Sequence, residues 1–136
     1  MATEQASVAA QFRKDNMPYK FIAQLRKKPL RCDGAMGTMI YSRGIPFERC
    51  FDELNISLPA VVADIHRGYI GAGADVIQTN TFGANRIRLG EHGLENSVVE
   101  INRAGVELAQ RVVEASFSLE CVMLETRRLK KVLRLR

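Results

Sequence analysis

The run Ala74-Asp75-Val76-Ile77-Gln78-Thr79 most constrains the fold, because it is short, holds adjacent β-branched residues, and lies between two stretches of helical period. Such a run reads as a buried strand rather than a helical turn. Upstream, Val61, Val62, Ile65, Tyr69 and Ile70 recur at three- and four-residue spacing and form one apolar stripe. Ser57 is the expected N-cap and Pro59 fits the first turn, where no N–H needs an intrahelical partner. Gly71 or Gly73 is the expected stop. Downstream, Leu94, Val98, Ile101, Gly105, Leu108, Val112 and Ala115 step by three or four, about six turns at 3.6 residues each. A strand between two such helices is the repeating part of a parallel sheet with helical crossovers.

Two further strands are predicted around this unit. Leu30 and Cys32 alternate with Arg31 over Pro29–Asp33, and Pro29 suits a strand's first position. The glycine-bearing run Asp33-Gly34-Ala35-Met36-Gly37-Thr38 then breaks the strand into a loop. Ser118–Leu124 is the third candidate strand. The class is α/β, and at this length the pattern alone leaves both a closed (β/α) barrel and an open doubly wound sheet standing. Residues 1–28 read as an extension of loose helical character before the domain, and after residue 124 basic residues alternate with leucines without a glycine-bearing loop.

Composition excludes several classes of function. With 46% apolar and 26% charged residues among 136, the chain has the makeup of a folded globular domain. No run approaches the ~18 apolar residues of a membrane span, and the N-terminus shows no signal-peptide run, so a cytoplasmic protein without membrane contact is expected. The net charge of +5 is local: residues 117–136 carry +4 of it, and the remainder presents no basic face for nucleic acid. Cys32, Cys50 and Cys121 share no C-x-x-C spacing and read as reduced thiols. Neither a P-loop nor a complete G-x-G-x-x-G is present.

Chemistry in βα proteins collects where strands end. The first end offers the Asp33 carboxylate beside the backbone N–H groups of Gly34 and Ala35, so an ammonium and a carboxylate could be held together, as in a free amino acid. The second end offers Thr79, Asn80 and Thr81. The plainer alternative also stands, in which Asp33 stabilises a turn and Asn80 caps a helix. His66 reads as a packing residue, His92 as a solvent-facing turn residue, and Met36 and Met39 as core fillers near the loop.

Several motifs in order then point to a family. Asp33-Gly34-Ala35-Met36-Gly37-Thr38, Leu54-Asn55-Ile56-Ser57, His66-Arg67-Gly68-Tyr69, Ala72-Gly73-Ala74-Asp75 and Gln78-Thr79-Asn80-Thr81-Phe82-Gly83-Ala84-Asn85 resemble homocysteine S-methyltransferases. The likeness is to the homocysteine-binding module found in cobalamin-dependent methionine synthases and in fusions with methylenetetrahydrofolate reductase. The resemblance implies a (β/α)8 TIM barrel, of which this chain carries the first two to three βα units, with residues 29–116 as a partial homocysteine-binding barrel. It implies that Asp33 meets the substrate ammonium, that the Gly34 and Ala35 amides meet its carboxylate, and that Asn80 and Thr81 line the same pocket. It also implies zinc on the homocysteine sulfur, held in the family by later cysteines that none of Cys32, Cys50 or Cys121 matches. The methyl donor stays open among methylfolate through cobalamin, S-methylmethionine and betaine. The implied partners are homocysteine and either the remainder of a barrel or a reductase domain. Residues 117–136 depart from the family pattern, so a frameshift after about residue 116 and an inactive product are expected, with an interaction module completing a separately encoded barrel as the alternative.

Overall fold

The computed structural model describes residues 17–116 and 122–124, and the chain divides into two compact units, Met1–Leu30 and Arg31–Arg136. In the first, helix α1 (Met17–Lys27) has proline in its first turn, where the missing N–H costs nothing, and Arg26 and Lys27 in its last, where the helix dipole favours cations.

The second unit is built around one short buried strand, β1 (Val76–Gln78), in which Val76 and Ile77 are almost fully enclosed. On one side Val76 forms a parallel bridge with Cys32; on the other, β1 pairs in parallel with β2 (Val122–Leu124), with Val76 opposite Val122. Burial on both sides explains why β1 is apolar without alternation. The helices are α2 (Met36–Tyr41), α3 (Leu54–Ser57), α4 (Pro59–Gly71), α5 (Arg86–Gly90) and α6 (Val98–Ala115). The main core joins Ile40 of α2, Leu54 of α3, Val62, Ala63 and Ile65 of α4, and Leu108 and Val112 of α6. Each of these Ile, Leu and Val side chains, fully buried, contributes roughly 1.5–3 kcal/mol.

The parallel strand-helix order is as expected, but several boundaries are not. Pro29–Asp33 is no strand; only Cys32 bridges. The ladder starts, with Val76 N–H donating to Arg31 O (3.0 Å) and Asp33 N–H to Val76 O (2.8 Å). It stops because the next donor, Gln78 N–H, goes to the Asp33 side chain, which displaces the backbone carbonyl from that role. The predicted loop Asp33–Thr38 is cut short, since α2 begins at Met36. Ser57 does not cap α4: it ends α3 and donates to Glu53 Oε2 (2.8 Å), while Leu58 holds the N-cap position. The second strand covers three residues rather than Ala74–Thr79.

The long helix starts at Val98, not Leu94, because Gly93 at φ +69 closes a turn in which Leu94 N–H returns to Leu89 O. Leu94 still packs with Ala84, Leu89, Val98 and Ile101, so its place in the apolar pattern is spatial, not helical. Helix α5 was not anticipated; the Asn85 side chain caps it by accepting from Ile87 and Arg88 N–H. Met36, Met39 and His66 pack at the core as expected, and His92 is exposed. Cys121 and the part of the third candidate strand before Val122 lie outside the described residues. No closed barrel is formed among the described residues, and none of their helices is long and apolar enough to cross a membrane.

Candidate ligand site at the strand ends

Asp33 is fixed where the first parallel connection ends. Its Oδ2 accepts from Gln78 N–H at 2.8 Å, so the carboxylate is tied to the far end of β1. Partial burial pushes its pKa above the ordinary value, and the amides of Gln78 and of Asp33 itself oppose that rise by favouring the charged form. Gly34 and Ala35 follow and are exposed, and among the described residues their N–H groups make no hydrogen bond. The turn is held from α4: Tyr69 Oη donates to Ala35 O at 2.8 Å. A Cβ on Gly34 would lie 2.8 Å from that hydroxyl, so glycine is what lets the tyrosine reach the turn. A carboxylate next to two open amides can take an ammonium and a carboxylate at once.

The second strand end is organised differently. Thr79, Asn80 and Thr81 are all buried. Asn80 Nδ2 donates to Phe51 O (2.7 Å) and to Asn55 Oδ1 (3.2 Å), and Asn55 Nδ2 donates back to Asn80 O (2.7 Å). The Thr79 and Thr81 hydroxyls pair at 2.7 Å. Thr81 and Asn55 together press on α6 at Gly105, where an added Cβ would come within 2.7 Å of the Thr81 methyl and 2.8 Å of Asn55 Nδ2. These hydrogen bonds are made to the protein itself, to Phe51, Asn55 and one another. The five residues singled out from the sequence therefore fall into two groups: Asp33, Gly34 and Ala35 form one turn, whereas Asn80 and Thr81 brace the loop after β1.

Of the residues that do the bracing, Phe51 and Asp52 stand in no motif quoted above, while Asn55 and Gly105 enter there only as members of the Leu54–Ser57 motif and of the long helical stripe. Phe51, Asp52 and Asn55 precede and enter α3, and Gly105 interrupts the apolar stripe of α6. A glycine inside a long helical pattern was the available signal, since it costs about 1 kcal/mol against alanine unless close packing needs it. Asp52 Oδ1 accepts from Gly83 N–H at 3.0 Å. Burial pushes the Asp52 carboxyl up, while the Gly83 and Ala84 amides counteract.

The resemblance implies zinc, and the described residues do not fit it. No group of three or more His, Cys, Asp or Glu side chains among them is arranged to hold a metal ion. At Cys50, burial first, with the Asp52 and Glu53 charges adding to it, raises the pKa and disfavours the thiolate a metal would need. Cys32 and Cys50 are free thiols.

A parallel α/β arrangement in which the Asp33 turn and the loop after β1 follow successive paired segments defines the class of the fold. The profile of the homocysteine S-methyltransferase family matches residues 30–129, and the chain belongs to that family. It is 36% identical over 88 residues to methionine synthase of Mycobacterium tuberculosis and 38% identical over 90 residues to that of Mycobacterium leprae. Each alignment covers 60% of this chain and 7% of the relative, so the chain spans a small part of their length. Among solved structures, it is similar to the metallated homocysteine methyltransferase MmuM of Escherichia coli, at TM-score 0.61 and 27% identity over 71% of this chain and 35% of that one.

Proposed function

We propose that this chain binds the amino-acid end of homocysteine at the turn Asp33-Gly34-Ala35, as part of a homocysteine S-methyltransferase in which the homocysteine thiolate accepts a methyl group. The observation that carries the reading is the pairing of the anchored Asp33 carboxylate with two exposed, unbonded amides. Asp33 takes the ammonium, and the Gly34 and Ala35 N–H groups take the carboxylate. Tyr69 holds the turn from behind through Ala35 O. Asn80 and Thr81 contribute by fixing the neighbouring loop. The family's (β/α)8 barrel and its zinc on the substrate sulfur are the expected setting; zinc would favour the thiolate there, and no described residue serves as its ligand. A second reading, that further βα units supplied by another chain complete the sheet, draws on β2, which pairs only with β1 among the described residues.

The test is a nuclear magnetic resonance titration of the isotope-labelled 136-residue chain with L-homocysteine. Shifts concentrated at the Gly34 and Ala35 amides support the reading. Shifts absent there, or no different with an analogue lacking the carboxylate, overturn it.

A further inference from the structure

The segment from Phe51 to Asn55 touches both the helix that follows the Asp33 turn and the loop after β1. Its first contact is apolar: the Phe51 ring lies against Gly37 in α2, where an added Cβ would sit 3.7 Å from Cδ2 and Cε2. The Phe51 carbonyl accepts from Asn80 Nδ2 at 2.7 Å, so this one residue spans the Asp33 turn's helix and the loop after β1. Asn55, 4% exposed, binds both the backbone carbonyl and the side chain of Asn80. Asp52 takes the Gly83 amide, and a Cβ on Gly83 would meet Asp52 Oδ2 at 2.6 Å, so the carboxylate lies directly against the backbone.

The loop is thus gripped before and after Phe82. Thr81 on one side is 4% exposed and seated on Gly105, and Gly83 on the other is held by Asp52, yet Phe82 between them is 90% exposed. Burying an aromatic ring is favourable, and an unpinned loop could turn it inward. A loop pinned at both neighbours cannot.

We propose that Asp52 and Asn55 are positioning residues for the homocysteine site: they lock the loop after β1 so that Asn80 to Gly83 stand at a fixed distance from the Asp33 turn and Phe82 projects as a wall of the site. This rests on the functional reading above and extends it to residues that never touch the substrate. The lock is made of buried and part-buried hydrogen bonds, which hold geometry more tightly than surface contacts do.

The experiment uses the full chain, with amide exchange and homocysteine titration read in the same spectra for wild type, Asp52→Ala and Asp52→Asn. Asp52→Ala removes the acceptor for Gly83 N–H; Asp52→Asn keeps an oxygen there. The expected result is Gly83 exchange about 10-fold faster in Asp52→Ala, native-like exchange in Asp52→Asn, and unchanged protection at Ala109 in α6. The homocysteine Kd should rise about 10-fold in Asp52→Ala and recover in Asp52→Asn. Unchanged Gly83 exchange in Asp52→Ala, or a loosened loop with an unchanged Kd, overturns the positioning role. An absent homocysteine response at Gly34 and Ala35 in the wild type overturns the functional reading instead, and the positioning role falls with it even where Gly83 exchange shows the pin. Should Asp52→Ala fail to fold, Gly83→Ala probes the same contact by forcing a methyl against the carboxylate; no change in Kd there overturns the proposal.

Discussion

The two strand-end loops occupy equivalent places in successive βα units and are built in opposite ways. After Cys32, the Gly34 and Ala35 amides are exposed and unbonded; after β1, Thr79, Asn80 and Thr81 are buried and their polar groups bind the protein itself. The difference separates two jobs that a sequence motif merges. One loop leaves two amides without a protein partner, and the other spends its hydrogen-bonding capacity on holding its own shape.

The largest expected contrast is in acid. His66, in α4, is fully buried with neither ring nitrogen hydrogen-bonded, and burial lowers its pKa to about 4. Its folded pKa lies below the unfolded value of 6.5, so the unfolded chain takes up the proton first. Its contribution is fully present above about pH 6.5 and is lost as pH falls towards 4, about 3 kcal/mol over the window. Asp33 has the opposite sign: its raised pKa means that folding favours the protonated form, so acid relieves rather than penalises the turn. Chemical denaturation of wild type and His66→Phe between pH 7 and 4 should show a loss in the first and a flatter profile in the second. Equal slopes would break the contrast.

Next comes Asn55→Leu, which leaves the Asn80 carbonyl without its Asn55 donor in the core, while Asn80 Nδ2 keeps the Phe51 carbonyl, and should cost roughly 2–3 kcal/mol by urea denaturation. Gly105→Ala comes third. On an exposed helix the change would stabilise by up to about 1 kcal/mol, but here the methyl would strike Thr81 and Asn55, so a net loss of about 1–2 kcal/mol is expected. A stabilised Gly105→Ala would show that the second loop is not tightly seated. The smallest stability effect belongs to Asp33→Asn, which keeps an oxygen for Gln78 N–H and should change the free energy of unfolding by less than about 0.5 kcal/mol in urea denaturation.

The order of elements was legible because hydrophobic period survives translation into packing: Ile101, Gly105, Leu108 and Val112 all line the buried side of α6. The break after Asp33 was legible as well, since two nearby glycines end an extended run. The edges of elements were less so. Pro29–Asp33 ended as a single bridge because a side chain took the place of a carbonyl, an exchange no propensity records. The roles of Asn80 and Thr81 were hidden for a related reason. Their partners, Asn55 and Gly105, lie 25 and 24 residues away, so local pattern could not reveal that the polar groups were already engaged. A site residue and a bracing residue can occupy the same motif, and only the direction of the hydrogen bonds tells them apart.

Calorimetric titration of L-homocysteine into the 136-residue chain, wild type against Asp33→Asn, tests the central claim most directly. Losing the charge that faces the ammonium while keeping the bond to Gln78 should weaken binding about 10- to 100-fold with the circular dichroism spectrum unchanged. Equal binding by the two proteins would mean that the Asp33 turn is structural and that homocysteine, if bound, is held elsewhere.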